Sequence, residues 1–353
     1  MRMAFLVHDA VDAVGQGRYT LSLANAFGER HAVTVFANRC FKPSGAVWSY
    51  QHVLASRRNA LATVLTFPLG IRIMRRELAS YDLVHAQGYC GGAPNVITAH
   101  ICVKAYLRSL SNISATTWTS LATMALFEEQ FYRRFDGPVI AVSKKLAGEL
   151  QQHYRFSGRI DVVPHGVDLG QFNPDARSNQ RDQVRRELNI PEDRVLALYV
   201  GDLLKAHQKL AELVRATPHV SLALLTRSRT PRIEAPNVIY IAPTSRIERY
   251  YSAADAFVFP TLYDSFGMVV LEAMACGLPV FCSDQAGVAE LLEHGRNGFC
   301  FSLADWVEGV RLGLADRDRL EAVGQEAVRT ARRHAWPEVA RRTEEVYRKV
   351  LEG

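Results

Sequence analysis

The sequence predicts an α/β protein of two β/α/β domains, and three observations carry that prediction. Short apolar runs alternate with helical patterns along the chain, as expected of parallel sheets covered by helices. A polar, charged stretch, Asn173–Arg194, which reads as an interdomain linker running into a short helix, interrupts this alternation, which then restarts. The 353 residues suit two domains rather than one. The expected boundaries are 1–168 for the first domain, 169–194 for a linker and 195–335 for the second. Ligands in Rossmann-like sheets of this kind bind beyond the carboxyl ends of the strands, so the two domains are expected to face a cleft.

Taken in order, Met3–Val7 reads as the first strand. The loop Gly15-Gln16-Gly17 precedes a helical pattern from Tyr19 to Phe27, and Val33–Phe36 completes a β-α-β unit. Arg57–Leu78 reads as a helix, basic at Arg57, Arg58, Arg72, Arg75 and Arg76. Leu83–His85 and Val96–Thr98 are strand-like, and a helix is expected from about Thr117. Val139–Val142 is a strand, Ser143 an N-cap for the helix after it, and Ile160–Val163 another strand. The second half gives a strand at Val195–Val200, a turn at Gly201 and a helix at Lys209–Ala216. Strands at Val220–Leu225 and Val238–Ile241 and a short helix at Ile247–Ser252 follow. Ala256–Phe259 is a strand ending at Pro260, and a polar loop with Asp264 and Ser265 follows. Phe266-Gly267 opens a helix, Met268–Cys276, which Gly277 and Pro279 stop before a strand begins at Val280. The tail is helical from Trp306, ending in a helix from Trp336 to Leu351.

Hydrophobic residues make up 48% and charged residues 22%, ordinary for a globular chain with full cores. The six cysteines include no C-x-x-C pair, which suits buried free thiols in a reducing cytoplasm. Met1 leads straight into a strand, with Asp9 and Asp12 soon after, so no signal peptide is expected. No apolar run approaches the roughly 18–20 residues that span a bilayer. Residues 1–165 hold 18 Lys and Arg against 10 Asp and Glu, while 166–353 hold 24 against 26. The basic front half points to an anionic partner or surface. Arg57–Arg76 suits either an amphipathic membrane-surface helix or the solvated face of a packed one. No His, Cys, Asp and Glu set has metal-ligand spacing, and no nucleic-acid motif is present.

The chemistry concentrates in Asp264–Glu272. The helix carrying Glu272 is apolar almost all round, and a buried carboxylate needs a partner. The helix has no basic residue of its own, so a ligand or a residue from elsewhere has to supply one. Its first-turn amides form an anion site, and Gly267 lets a ligand approach the backbone. Phosphate at the helix start with hydroxyls at Asp264 and Glu272 would suit a nucleotide sugar. Capping by Asp264 and a salt bridge to Glu272 are the structural alternative.

This segment resembles the signature of the retaining GT-B glycosyltransferases of family four: an acid, seven residues, then Glu, with Phe-Gly inside. Here that is Asp264, Phe266-Gly267 and Leu271-Glu272-Ala273-Met274-Ala275-Cys276-Gly277-Leu278-Pro279-Val280. Gly287, Glu290, Gly295 and Gly298 resemble its continuation. Val162–Asp168 with Phe172-Asn173-Pro174, Val139–Ser143, Val96–His100, Gly15-x-Gly17 and Tyr199-Val200-Gly201 resemble further family segments in order. The resemblance implies a GT-B fold whose C-terminal helix, 336–353, crosses back to the N-terminal domain. It implies transfer of a hexosyl unit, with retention, from a nucleoside-diphosphate sugar, UDP by family habit. The acceptor would be a glycan, a lipid-linked molecule or a small molecule held mainly by the first domain. No metal or cofactor is implied, and the expected location is the cytoplasm, with peripheral contact at the inner face of the membrane.

By the same resemblance Asp264 holds the donor sugar's hydroxyls and Glu272 the ribose. The backbone at Gly267, Met268 and Val269 takes the diphosphate with Lys205, or with Lys209 as second choice, and His100 meets the sugar. Gly17, Gly201, Ile241, Ser265 and Phe266 complete the donor set. The chain departs from the family in having Asp264 for the usual Glu, Asp202 for an Arg and Ala206 for a Gly. Asp202 and the altered Lys205 loop leave a non-catalytic binding protein as one alternative. A dinucleotide-dependent oxidoreductase is the other, although its glycine fingerprint fails at Thr20.

Overall fold

The computed structural model describes residues 1–11, 15–111, 113–228 and 231–352, so Asp12 lies outside it. The chain divides into two compact units, Met1–Gly166 with Trp336–Gly353, and Val167–Ala335.

The first unit contains β1 (Arg2–Leu6), β2 (Asp9–Ala10), β3 (Ala32–Ala37), β4 (Arg39–Cys40) and β5 (Ser49–His52). It continues with β6 (Leu83–Gln87), β7 (Val96–Ala99), β8 (Val139–Ala141) and β9 (Ile160–Val162). Seven of these form one sheet in the order β5-β3-β1-β6-β7-β8-β9, and β2 pairs with β4. All neighbours in the large sheet are parallel, with Phe5 opposite Val35 on one side and His85 on the other. Central strands buried on both faces explain the near-continuous apolar runs of the sequence. The final helix, Trp336–Leu351, puts Val339, Ala340, Val346 and Tyr347 into the same core as Phe5 and Phe27. Burying a valine such as Val339 or Val346 contributes about 1.5–3 kcal/mol, which holds the chain's last segment to the first unit.

The second unit contains β10 (Leu196–Val200), β11 (Ser221–Leu225), β12 (Val238–Ile241), β13 (Ala256–Phe259), β14 (Val280–Ser283) and β15 (Phe299–Phe301). They form one parallel sheet in the order β12-β11-β10-β13-β14-β15. The sequence runs outward in opposite directions from the β10–β13 pair, a switch point of the kind at which ligands bind in such sheets.

Three expectations need correction. The stretch 169–194 is not an interdomain linker but part of the second unit, and the short helix expected within it is Asp175–Glu187. Arg181 and Arg185 bind the Asp255 carboxylate at 2.5 and 3.2 Å, tying that helix to the start of β13. Gly15 and Gly17 lie inside the first helix, Gly15–Gly28, rather than in a loop before it. The helix expected over Arg57–Leu78 starts only at Ala60, where the Asn59 side chain accepts from the Ala62 amide, and breaks at Met74. Ser49–His52, unremarked in the sequence, is the exposed edge strand β5.

Candidate active site

In the second unit the carboxyl ends of β10 and β13 carry most of the predicted donor residues. Gly201 follows β10 with φ of 154°, and a Cβ there would lie 2.8 Å from the Tyr199 hydroxyl oxygen. A one-turn 3-10 helix, Leu203–Lys205, follows. Asp202 holds it: its carboxylate accepts from the Leu204 amide at 3.0 Å and the Ser228 hydroxyl at 2.7 Å. The Asp at the family's Arg position is thus a cap. The Lys205 carbonyl accepts from the Leu262 amide at 2.8 Å, joining this turn to the loop after β13. That contact brings Lys205 Nζ to 3.9 Å from Asp264 Oδ2, with both side chains about a quarter exposed. Lys209 instead pairs with Glu212 at 2.8 Å, and this bond holds the Glu212 carboxyl below its ordinary range. Burial, with Asp202 and Asp264 nearby, pushes the Tyr199 hydroxyl well up, so it stays neutral and donates to the Asp202 carbonyl.

The Asp264 loop is built by short-range bonds. Asp264 Oδ1 accepts from the Phe266 amide at 3.1 Å, and the Gly287 and Val288 amides donate to the carbonyls of Asp264 and Phe266. Gly267 has φ of 99°, where a side chain is strained, and a Cβ would lie 3.3 Å from both Phe259 and Val288. The left-handed turn starts the helix Met268–Ala275 at once, so its first amides, at Met268 and Val269, have no carbonyl one turn earlier in the helix. Ser265, Met268 and Val269 are partly exposed, while Phe266 is buried.

Glu272 is 2% exposed. The partner its sequence required is Tyr251, whose hydroxyl lies 3.1 Å from Glu272 Oε2 and 3.2 Å from the Val269 carbonyl. The sequence reading missed this role, because the two residues lie 21 positions apart, across a strand, a loop and a helix start. Ile241 ends β12, buried, with β11 and β10 between it and β13.

Gly17 and His100 belong to the first unit. A Cβ at Gly17 would lie 2.5 Å from the Val11 carbonyl oxygen, so only glycine lets the helix approach that backbone. His100 follows β7, and its Nε2 lies 2.9 Å from Gln87 Oε1. The rings of Tyr19, His100, His165 and Trp336 cluster there, Tyr19 lying 4.9, 5.0 and 5.5 Å from the other three. Desolvation pushes His100 down to about 3, so the ring is neutral. Away from this cluster, Glu128 Oε2 accepts from the Val103 amide at 2.9 Å and from the Tyr154 hydroxyl, and burial pushes its carboxyl up to about 7.

Two Rossmann-like units, an acid-to-glutamate helix start at a sheet switch point and a lysine beside it define a nucleotide-sugar glycosyltransferase of the GT-B class. Comparison with known proteins agrees. The models described as Glycosyltransferase Family 4 and Glycosyl transferases group 1 match residues 14–171 and 194–315. The D-inositol 3-phosphate glycosyltransferase of Nocardia farcinica is 28% identical over 326 residues, 80% of this chain and 71% of that protein. The enzyme of the same name from Rhodococcus opacus is 29% identical over 313 residues, 78% and 68%. Among solved structures, sucrose-phosphate synthase from Thermosynechococcus elongatus superposes with a TM-score of 0.82 at 20% identity, covering 99% of both chains. HepE of Anabaena in complex with UDP-glucose gives 0.73 at 18% identity, covering 99% of this chain and 100% of that one. The chain belongs to the group 1, family 4 glycosyltransferases. It is a glycosyltransferase with a nucleotide-sugar donor.

Proposed function

We propose that the protein is a retaining hexosyltransferase that takes its sugar from a UDP-sugar and works without a metal. The observation that carries this reading is the joining of Lys205, Asp264 and the Gly267 helix start at the β10–β13 switch point. The first-turn amides and Lys205 hold the diphosphate and stabilise its charge as it leaves. Asp264 takes the sugar hydroxyls, Glu272 the ribose, and His100 the sugar by its match to the family histidine. Lys209, held by Glu212, plays the smaller part. The departing phosphate itself serves as base for the incoming acceptor hydroxyl, so no protein nucleophile is assigned.

The acceptor is a glycan, a lipid-linked molecule or a small polyol. Membrane contact through the first unit has its own support. Leu69, Ile73, Trp118 and Leu126 are exposed on the helices Ala60–Ile73 and Ala115–Arg134, with Arg72, Arg75 and Arg76 beside them. No helix among the described residues is long and apolar enough to cross a membrane. A thermal-shift panel of UDP-, GDP- and ADP-sugars tests the donor, because a ligand bound only to the folded state raises the melting temperature. UDP-sugars are expected to give the largest rise. A product anomer inverted relative to the donor, read by NMR, would refute retention. D-inositol 3-phosphate, named in the relatives, belongs in the acceptor panel.

A further inference from the structure

One edge of the first sheet is open. β5 pairs with β3 on one side, and no described strand lies on the other. All four of its residues are exposed, so neither face of the strand is buried. The Val53 amide donates to the Ala37 carbonyl at 2.9 Å. Backbone groups alternate in direction along a strand, so those of Gln51 also face β3, while those of Tyr50 and His52 face outward. Outward amides and carbonyls of this kind are a template for another strand.

The surroundings of this edge are neutral and apolar. Phe41, Val47 and Leu54 are 61%, 60% and 76% exposed, and Tyr50 is 37% exposed. Exposed apolar patches mark contact surfaces, and interface centres are poor in charge and rich in aromatic residues. Lys42 is the one charged residue in 41–56, and its ammonium lies 5.5 Å from the ring centre of Trp48 in its own chain. Residues 1–165 as a whole hold 18 Lys and Arg against 10 Asp and Glu. A partner chosen by charge would be acidic and would meet the basic surface of this unit instead. A second copy carries the same positive excess, and an uncharged edge is where two such copies meet without repulsion.

We propose that the β5 edge is a homodimer interface, in which β5 of a second copy pairs with it antiparallel about a two-fold axis at Gln51. Tyr50 of each copy then lies opposite His52 of the other, and the two pairs exchange four backbone hydrogen bonds. Gln51 faces its own counterpart with no backbone bond between the two. The same axis brings Leu54 of each copy to the end of the strand where the other carries Val47. Two seven-stranded sheets become one, and neither copy keeps an open edge at β5.

The experiment is light scattering on the full chain after size exclusion, over a concentration series. A mass of twice 39.4 kDa is expected at the higher concentrations. The mass of a single chain throughout would overturn the proposal and leave the edge to a different protein. Leu54→Glu, at an exposed position, should shift the protein toward the monomer with an unchanged melting temperature. His52→Pro removes one outward amide from each copy and should weaken the dimer about thirtyfold, as for two hydrogen bonds of ordinary strength. A dimer as tight as the wild type in both variants would refute the interface. Cysteine substitution tests the register. Opposed residues with no backbone bond between them have α-carbons about 4.5 Å apart, within disulfide reach. Ser49 lies two residues from the axis, so its two copies stand about 13 Å apart. Oxidation by dioxygen with a copper catalyst should therefore cross-link Gln51→Cys into a covalent dimer and leave Ser49→Cys and the wild-type chain single. Failure of Gln51→Cys to cross-link, or equal cross-linking through Ser49→Cys, would refute the pairing.

Discussion

Replacing Glu128 with Gln is expected to remove a defined part of the protein's pH-dependent stability. Glu128 is 5% exposed, and desolvation raises its carboxyl to about 7, against the lowering effects of the Tyr154 hydroxyl and the Val103 amide. A carboxyl whose folded pKa lies above its unfolded value binds its proton more tightly when folded. Its contribution is therefore fully present below the unfolded value, near 4.5, and is lost as pH rises through about 7. One pKa unit is worth about 1.4 kcal/mol, so the total is about 3 kcal/mol, of which about 2 kcal/mol falls between pH 5.5 and 8. Gln keeps the acceptor oxygen for Val103 and Tyr154 but does not titrate. Urea denaturation of both proteins across that range should show the wild type losing about 2 kcal/mol relative to Glu128→Gln. Buried histidines act in the opposite sense. His8, His85 and His100, lowered to about 4, 3 and 3, contribute stability that disappears as pH falls below about 6.5. They are present in both proteins and cancel in the difference. Parallel stability curves for the two proteins would refute the assignment of a raised carboxyl to Glu128.

Gly267→Ala should cost about 1–3 kcal/mol, since φ of 99° strains any side chain and the new Cβ would press on Phe259 and Val288. The urea midpoint reads this cost, and an unchanged midpoint would argue against the left-handed turn. Glu272→Ala should leave a folded protein, because the Tyr251 hydroxyl keeps the Val269 carbonyl as acceptor, yet lose the thermal shift given by the selected donor. Full transfer activity in that variant would remove Glu272 from the site. Lys205→Met should reduce donor kcat/KM more than Lys209→Met, because Glu212 already holds Lys209. The reverse ranking would move the diphosphate to the other lysine.

How much of this was legible in the sequence depended on the range of the interactions. Central strands announce themselves because both faces are buried, so an unbroken apolar run has one explanation. Ser143 was legible as a cap because its bond, to the Leu146 amide at 3.0 Å, closes within three residues. The edge strand Ser49–His52 has no apolar face to show, and only its backbone pairing with β3 defines it. The supposed linker failed for a different reason. Arg185 is 4% exposed, buried by Asp255 and the carbonyls of Ala253, Pro191 and Arg194. A charged stretch reads as solvated only when its partners are water, and those partners lie up to 70 residues away.

The same distinction governs Asp264. The sequence shows an acid one methylene shorter than the family's glutamate, and on that ground alone a changed reach toward the sugar. The structure adds that Oδ1 is held by the Phe266 amide, two residues on, while Oδ2 faces Lys205 from a separate strand end. The short side chain therefore keeps one oxygen in the loop that sets up Gly267 and turns the other toward the cation expected at the diphosphate. Asp264→Glu tests whether that length matters. A longer carboxylate cannot keep both contacts without moving the loop, so the variant should lose affinity for the wild-type donor, measured as KM, while the melting temperature shifts by only a few degrees. An unchanged KM for every nucleotide sugar in the panel would show that the missing methylene has no part in donor choice.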